Sequence, residues 1–236
     1  MKSKGVFIIG IDTEVGKTTI SAGLGTLLVR KGIHVGVMKP FASGINKYSS
    51  RFKSLDSKIL KDASGSKDTD ELINPYYSTL PTAPYLANKI LRLNEHIEKQ
   101  EILNKYKDIE RRHEFTIVEG IGGLMVPLDG NFFVADLASL INLPTILVMS
   151  NRIGSLNHII MTYRLSLEFN LKITGIIINN KCKLIETYCK LITNNLPCAV
   201  EELTQSKVLA TILYIKKQTP KKIADILEKY NFIKNL

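Results

Sequence analysis

The sequence predicts an α/β fold in which helices flank a doubly wound, mostly parallel sheet. Short apolar segments alternate along the chain with segments whose apolar residues recur at helical spacing, as in parallel α/β proteins. A glycine-containing turn joins the first apolar segment to the first helical one. The 236 residues, of which 44% are hydrophobic and 23% charged, have the size and composition of one globular domain.

The elements predicted in the N-terminal half follow this alternation. They are strands at 6–9 and 35–38 and helices at 18–31, 55–61, 83–91 and 95–109. Both strands are apolar runs, which suits strands that are covered on both faces. The first helix places Ile20, Leu24 and Leu27 on one face and ends at Gly32. Pro40 ends the second strand, and residues 44–80 are mostly polar and irregular.

The C-terminal half repeats the alternation. The predicted elements are strands at 115–118, 144–149, 173–178 and 208–213 and helices at 134–141, 156–167, 185–194 and 223–230. In the helix at 156–167, Ile159, Ile160 and Tyr163 share the apolar side. No internal repeat, low-complexity tract or linker interrupts the pattern, so the sequence predicts a single domain over residues 1–236.

The composition limits where the protein works and what it binds. No apolar run approaches the ~18 residues of a membrane span, and Asp12 interrupts the first apolar stretch, so we expect no signal peptide. The three cysteines form no CxxC pair, which favours a reducing, cytoplasmic location. The net charge is +10, and residues 1–61 carry 11 Lys and Arg against 3 Asp and Glu. Phosphorylated small molecules suit such a segment as well as nucleic acid does.

A phosphate-loop motif lies between the first strand and the first helix. It runs from Gly10 to Thr19 with the sequence GIDTEVGKTT. Gly16 allows the backbone to curl so that successive N–H groups face a phosphate, and Lys17 adds a mobile charge. The Thr18 hydroxyl is a Mg²⁺ ligand in such loops. Five residues rather than four separate Gly10 from Gly16. The motif predicts a P-loop NTPase type of sheet that binds a nucleotide and Mg²⁺.

Further candidate residues follow the other predicted strands. Glu119 comes directly after the strand at 115–118 and is followed by glycines, so we expect it at the carboxyl edge of the sheet, where open α/β folds bind ligands. Its carboxylate suits Mg²⁺. The pattern alone does not decide whether Asp56 is a metal ligand or a solvated helix residue. It also leaves Lys39 open between a catalytic residue and an edge residue whose charge reaches solvent.

Five segments together resemble one family. They are GIDTEVGKTT at 10–19, MKPFASG at 38–44, VEGIGG at 118–123, GSLNH at 154–158 and GIIINN at 175–180. In this order they closely resemble dethiobiotin synthetase, and the resemblance runs from residue 6 to about 180 and weakens afterwards. It implies a P-loop fold and a homodimer with shared active sites. It also implies ATP- and Mg²⁺-dependent closure of a ureido ring on 7,8-diaminononanoate with CO₂, from the CO₂/bicarbonate pool, late in biotin synthesis.

The resemblance also implies roles for individual residues. Lys39 and Lys17 resemble the family's catalytic lysines. Thr18, Asp56 and Glu119 resemble its metal ligands. The implied nucleotide contacts are Thr13, Glu14, Val15, Gly16, Lys17, Thr18, Thr19, Asp56, Glu119, Gly120, Ile121, Gly122, Asn179, Asn180, Leu213, Tyr214 and Ile215. The implied substrate contacts are Thr13, Lys39, Ser43, Pro84, Gly154, Ser155, Leu156 and Asn157. Ser155 is expected to be the N-cap of the helix that follows it, which opens an anion site.

The implied reaction accounts for these residue types. One substrate amine captures CO₂ as a carbamate, whose oxygen attacks the γ-phosphate to give a carbamic–phosphoric anhydride. The second amine then closes the ring and expels phosphate. Because negative charge accumulates in these steps, positioned cations stabilise them.

Two alternatives share the fold. A partitioning- or positioning-type ATPase that binds DNA or membrane would explain the charge of +10, but such loops carry an extra early lysine where this chain has Ile11-Asp12-Thr13. No amphipathic terminal helix with a basic face is evident, so we expect neither a nucleic-acid nor a membrane partner. A GTPase would require an acidic residue where Lys183 follows Asn180-Lys181.

Overall fold

The computed structural model describes residues 4–44, 48–49, 52–93, 96–181 and 186–235. Its elements in chain order are β1 (Gly5–Gly10), α1 (Lys17–Arg30), β2 (Val35–Met38), β3 (Phe41–Ser43), α2 (Leu55–Ser64), α3 (Asp70–Ile73), β4 (Tyr76–Ser78), α4 (Pro84–Leu91), α5 (Lys99–Arg112), β5 (Phe115–Glu119), β6 (Pro127–Asp129), β7 (Phe132–Phe133), α6 (Val134–Ile141), β8 (Thr145–Ser150), α7 (Ser155–Glu168), β9 (Ile173–Asn179), α8 (Glu186–Thr204), β10 (Val208–Ile212), α9 (Pro220–Lys229) and a terminal 3₁₀ turn (Phe232–Asn235).

Six strands form one parallel sheet in the order β10-β9-β8-β1-β5-β2. This confirms the predicted α/β class. The strands β1, β2, β5 and β8 are buried along their whole length, as their uniformly apolar sequences require. The sheet grows outward on both sides of β1, so the crevice at the carboxyl end of β1 is a topological switch point, where such folds bind ligands. The register pairs Ile8 with Glu119 and Gly10 with Val148 at this edge.

Helices cover the sheet and pack on one another. Helix α1 lies against α2 and α9, whereas α5 contacts α6 and α7 contacts α8. The contact of α1 with α9 is close because Gly23 has no side chain: a Cβ there would lie 2.2 Å from Cγ2 of Ile223. One cluster of buried apolar side chains runs through the described residues, with Phe7, Phe41 and Phe115 among its largest members. The single domain over residues 1–236 stays a prediction.

Several predicted boundaries are wrong. The helix predicted at 185–194 continues to Thr204, through Asn194, Asn195 and Pro197, because burial of Val200 and Thr204 outweighs these poor helix formers. The helix predicted at 223–230 begins at Pro220, where the Thr219 hydroxyl accepts the Lys222 N–H. The helix predicted at 95–109 spans Lys99–Arg112, and the strand predicted at 208–213 ends at Ile212.

The irregular region predicted at 44–80 contains more structure than its polarity indicates. Helix α3 and strand β4 lie within it, and β4 pairs in parallel with β3 as a separate two-stranded sheet. Further along the chain, β6 and β7 form an antiparallel pair. These strands have two or three residues each, too few for an alternating pattern to appear. The β3–β4 pair places Ser43 beside the switch point, so a missed element carries a predicted site residue.

Candidate functional site

The phosphate loop forms the floor of a cavity of about 910 Å³ at the carboxyl edge of the sheet. Gly16 precedes α1 with a φ of 97°, and Glu14 has a φ of 59°. Side chains at Gly10 and Gly16 have no room, since a Cβ would lie 2.8 Å from Nζ of Lys17 and 2.1 Å from Nδ2 of Asn179 respectively. The loop therefore needs glycine at both of these positions.

Backbone carbonyl groups hold Lys17 across this loop. Its Nζ donates to the carbonyl of Asp12 at 2.9 Å and to that of Gly122 at 2.8 Å. Burial and the nearby Lys39 ammonium lower the pKa of Lys17 to about 8. Asp12 thus holds Lys17 through its main chain. Its carboxylate accepts the Thr13 N–H and pairs with Arg152, which together hold the pKa of Asp12 below its usual value although burial raises it.

A charge cluster around a buried lysine lies beside Lys17. The Nζ of Lys39 lies 2.5 Å from Oε1 of Glu119 and 3.3 Å from Oδ2 of Asp56. The Thr18 hydroxyl donates to the same Glu119 oxygen at 2.7 Å. Burial alone lowers the pKa of Lys39, but the carboxylates of Glu119 and Asp56 outweigh it and raise the pKa, so Lys39 is an ammonium ion. Lys39, Asp56, Glu119 and Thr18 therefore meet at one point.

The main chain of Lys39 is fixed by residues that the sequence did not single out. Its N–H donates to the carbonyl of Ile73, and its carbonyl accepts from Nδ2 of the fully buried Asn74. Lys39 is 3% exposed. It is therefore no edge residue with a solvated charge, and that reading is wrong. The short helix α3, which supplies these contacts, follows a loop and is too short to show helical periodicity.

The donor set around Lys39 suits Mg²⁺. A hard cation takes carboxylate and hydroxyl oxygens, and Thr18, Asp56 and Glu119 offer these. The Oε2 atom of Glu119 is buried and has no hydrogen-bond partner among the described residues, so a carboxylate oxygen remains for a cation. Within the described chain, no three or more His, Cys, Asp or Glu side chains are grouped so that they could hold a metal ion by themselves.

The cavity brings together many of the predicted contacts. They are Thr13, Glu14, Gly16, Lys17, Thr18, Thr19, Lys39, Ser43, Asp56, Ile121 and Gly122. The carbonyl of Gly120 accepts from Nζ of Lys39 at 3.0 Å, and Glu119 lies behind it. Pro84 begins α4 and lines a separate small pocket with Phe41 and Tyr77 instead.

The remaining predicted nucleotide contacts lie at the far end of the same edge. Asn179 is fully buried; its Nδ2 donates to the Val15 carbonyl at 3.0 Å, and its Oδ1 accepts from Nε2 of Gln218 at 2.7 Å. Asn180 is buried and its Oδ1 has no partner among the described residues. Leu213, Tyr214 and Ile215 follow β10 without regular structure, and Leu213 is 60% exposed. None of these five side chains lines the main cavity of the single chain.

The segment 154–157 differs from the prediction in one respect. The N-cap of α7 is Gly154, with a φ of 87°, and Ser155 is the first helical residue. The Ser155 hydroxyl donates to the carbonyl of Arg152 at 2.7 Å and is buried, which closes the turn before the helix. Ser155 is therefore not the N-cap. Leu156 and Asn157 are partly and largely exposed, and the segment lies outside the main cavity.

Sequence reasoning missed several residues of the site. Arg152 pairs with Asp12 of the phosphate loop, and Lys181, Gln218, Thr219, Pro220 and Lys221 line the nucleotide end of the cavity. Lys181 directly follows the predicted corner residues Asn179 and Asn180, which is a signal that could have found it. Gln218 carries no such local signal. In the described part of the chain, no helix combines the length and apolar character that a membrane span needs.

Comparisons with known proteins extend this description. The sequence profile of a family described as an AAA domain matches residues 4–222. The ATP-dependent dethiobiotin synthetase BioD of Nitrosopumilus maritimus is 36% identical over 233 residues, which cover 99% of both chains. The protein of the same name from Bacillus subtilis (strain 168) is 40% identical over 176 residues, covering 75% of this chain and 74% of the relative.

Solved structures show the fold alone. The MinC:MinD cell division protein complex of Aquifex aeolicus superposes with a TM-score of 0.60 at 12% identity, covering 99% of this chain and 97% of the matched chain. A ParA family ATPase from Chlorobium tepidum TLS gives 0.54 at 16% identity, covering 97% and 99%. At these identities the likeness confirms the P-loop type of sheet and carries no information about partners.

Proposed function

The chain belongs to the ATP-dependent dethiobiotin synthetase family, and we propose that its phosphate-loop cavity carries out the ring closure with the residues assigned below. The chain is thus an ATP-dependent ligase of biotin biosynthesis that forms dethiobiotin. One observation carries the site assignment: Lys39 and Glu119 form a buried ion pair beside Lys17 of the phosphate loop, and the partly exposed Asp56 carboxylate faces the same ammonium.

Lys17 and Lys39 are the two catalytic cations of the proposal. Carbonyl groups of Asp12 and Gly122 hold the Lys17 ammonium above the loop, where the terminal phosphates of ATP bind. Lys39 reaches the same cavity from the end of β2, on the side of Ser43. The carbamate of 7,8-diaminononanoate therefore meets the γ-phosphate between two fixed cations. Such preorganised charges stabilise the anionic transition state without rearrangement.

Thr18, Asp56 and Glu119 are the proposed Mg²⁺ ligands. The unpartnered Oε2 of Glu119 supports this assignment. So does the arrangement of the Asp56 and Glu119 carboxylates, which both face the Lys39 ammonium, with the Thr18 hydroxyl on the same Glu119 oxygen. When bound there, Mg²⁺ supplies charge neutralisation for the phosphate oxygens. The three side chains would hold the ion next to Lys39, and Glu119 is shielded from water because it is fully buried.

The substrate contacts remain proposals of two kinds. Thr13, Lys39 and Ser43 line the main cavity, which supports contact with the two amines and the carbamate. Gly154, Ser155, Leu156 and Asn157 lie outside it, so we assign them to the carboxylate tail of a substrate bound to the partner subunit of a homodimer. Ser155 acts there through the shape of the turn, because its hydroxyl is bonded to Arg152. Pro84 shapes the wall next to β3.

We place the enzyme in the cytoplasm and assign it small-molecule substrates, with neither nucleic acid nor membrane as a partner. The support is the family membership and the phosphate loop, which lacks an early lysine at Ile11-Asp12-Thr13.

The function is tested by product formation. Purified protein is incubated with ATP, Mg²⁺, 7,8-diaminononanoate and ¹³C-bicarbonate, and the product is identified by mass spectrometry. We expect dethiobiotin carrying one ¹³C atom, with phosphate release that requires both the diamine and bicarbonate. Phosphate release that is independent of the diamine and stimulated by DNA would instead support a partitioning ATPase.

A further inference from the structure

Two carbonyl groups of the phosphate loop accept hydrogen bonds from residues at the end of β9. The Glu14 carbonyl accepts from Nζ of Lys181 at 2.8 Å. The next carbonyl, of Val15, accepts from Nδ2 of Asn179 at 3.0 Å. Lys181 follows β9 and is exposed, whereas Asn179 ends β9 and is fully buried. Two consecutive peptide groups of the loop are thus hydrogen-bonded to residues at the end of β9.

These contacts fix the direction of the loop N–H groups. In a trans peptide the N–H points opposite to the carbonyl. Holding the carbonyls of Glu14 and Val15 outward therefore turns the N–H groups of Val15 and Gly16 inward. Across the described residues, neither N–H has a protein acceptor. Both are left to bind phosphate oxygens, as in an anion-binding nest.

The loop conformation needs this support. Glu14 adopts a left-handed φ of 59°, which an L side chain rarely adopts, and Gly16 has a φ of 97°. A non-glycine residue in this region is strained and persists only when its surroundings hold it there. The bonds from Lys181 and Asn179 lie on the two peptide groups between these residues.

Gln218 determines the orientation of the Asn179 side-chain amide. The amide could place either its nitrogen or its oxygen toward the Val15 carbonyl, and only the nitrogen donates. Nε2 of Gln218 donates to Oδ1 of Asn179 at 2.7 Å, so the oxygen of Asn179 is occupied and its nitrogen faces Val15. Gln218 comes from the β10–α9 connection, next to the Thr219 cap of α9.

We propose that Lys181 and Gln218 are positioning residues that preorganise the phosphate loop for a triphosphate, whatever its base. This role rests on the proposed function, because it presumes that the loop binds the triphosphate of ATP. Neither residue needs to touch the reacting atoms. Each acts through the backbone of residues 14–16, Lys181 directly and Gln218 by way of Asn179.

The variants that test this role are Lys181→Met and Gln218→Glu. The first removes the donor to Glu14; the second replaces the donor to Asn179 with an acceptor, which favours the flipped amide. Lys181→Arg keeps a donor and is the rescue variant. Lys105→Met removes a positive charge that pairs with Glu101 on the distant α5, and Gln100→Glu makes the same amide-to-acid change on that helix, so both serve as controls.

The measurement is the affinity of the full chain, with Mg²⁺, for ATP, CTP and inorganic tripolyphosphate. We expect each test variant to weaken all three by the same factor, about tenfold, since one oriented hydrogen bond is lost. The KM for ATP should rise by the same factor, kcat should change less than about twofold, and Lys181→Arg should recover most of the affinity. The two controls should bind all three ligands as the wild type does.

Three results would overturn the proposal. In the first, the test variants bind tripolyphosphate as the wild type does while losing ATP, which would mean that they contact the base or ribose. In the second, they bind all three ligands normally. In the third, they lose no more affinity than the controls do. A wild-type chain that binds ATP but forms no dethiobiotin would refute the proposed function and leave the positioning role standing.

Discussion

The ammonium nitrogen of Lys39 lies 2.5 Å from Oε1 of Glu119, and both side chains are almost completely buried. A buried carboxylate is stable as an anion only if a cation or several donors accompany it. In this chain, Lys39 and the Thr18 hydroxyl provide that compensation at one oxygen, and the other oxygen has no partner among the described residues. Lys39 therefore supports the fold as well as the reaction.

The first prediction concerns stability. Lys39→Met should lower the free energy of unfolding by about 3 kcal/mol without Mg²⁺, because it leaves Glu119 as an uncompensated buried charge. Millimolar Mg²⁺ should restore part of this loss, since a cation then faces Glu119 and Asp56. Lys31→Met, which removes a surface partner of Glu228, should cost less than about 1 kcal/mol and show no response to Mg²⁺.

Thermal or urea unfolding with and without Mg²⁺ checks this. If Lys39→Met unfolds like the wild type in both conditions, the ion pair of Lys39 with Glu119 does not stabilise the fold as predicted.

The second prediction concerns the metal. Asp56→Asn should raise the Mg²⁺ concentration for half-maximal activity by about tenfold, because one of few carboxylate ligands is lost. The matched control is Asp108→Asn, which changes a carboxylate of equal exposure, 42%, that pairs with Arg111. Titration of the rate with Mg²⁺ at saturating ATP gives the answer. An unchanged requirement in Asp56→Asn would remove Asp56 from the ligand set.

The third prediction concerns the base. The segment 213–215 that follows β10 contains no proline that would preset its backbone, and Leu213 is 60% exposed. Both amide atoms of Asn179 are already bonded, to Val15 and to Gln218. A base-binding segment that is less preorganised discriminates less between nucleotide bases. We therefore expect kcat/KM for ATP to exceed that for CTP and GTP by less than ~100-fold. A larger preference for ATP in initial-rate measurements would show that this segment binds adenine tightly.

The fourth prediction concerns assembly. We expect a homodimer in which residues 154–157 of one subunit complete the site that contains Lys39 of the other. Lys39→Met chains are mixed with chains carrying Asn157→Glu, which puts a negative charge at an exposed position near the substrate tail. Ser155 is avoided because it is buried and ties the turn to Arg152.

If sites are shared, one site of each heterodimer holds both lesions and the other holds neither. Activity per verified heterodimer should then return to about half of the wild-type value, as expected for a two-fold symmetric pair. Heterodimers that stay inactive, or a chain that sediments as a monomer at assay concentration, would refute the shared site.

Local sequence patterns predicted part of this site and could not predict the rest. The phosphate loop and Glu119 were predictable because strand, turn and helix signals adjoin them in the chain. The burial of Lys39 was not predictable, because it depends on Ile73, the last residue of a four-residue helix, and on Asn74, which directly follows that helix. Likewise, Gln218 meets Asn179 only because β10 lies next to β9 in the sheet, a pairing that no local pattern encodes.

In the proposed reaction, the carbamate oxygen attacks the γ-phosphate in the cavity between Lys17 and Lys39. Ring closure then leaves that oxygen on the released phosphate. The most direct measurement is a rapidly quenched turnover with ¹⁸O-labelled bicarbonate in unlabelled water, followed by mass analysis of the phosphate. We expect one ¹⁸O atom per phosphate and one phosphate per dethiobiotin. The contrary result is phosphate that carries no ¹⁸O from bicarbonate and that takes up one oxygen from the solvent when the water is labelled instead. That result would show plain ATP hydrolysis and would contradict the proposed reaction.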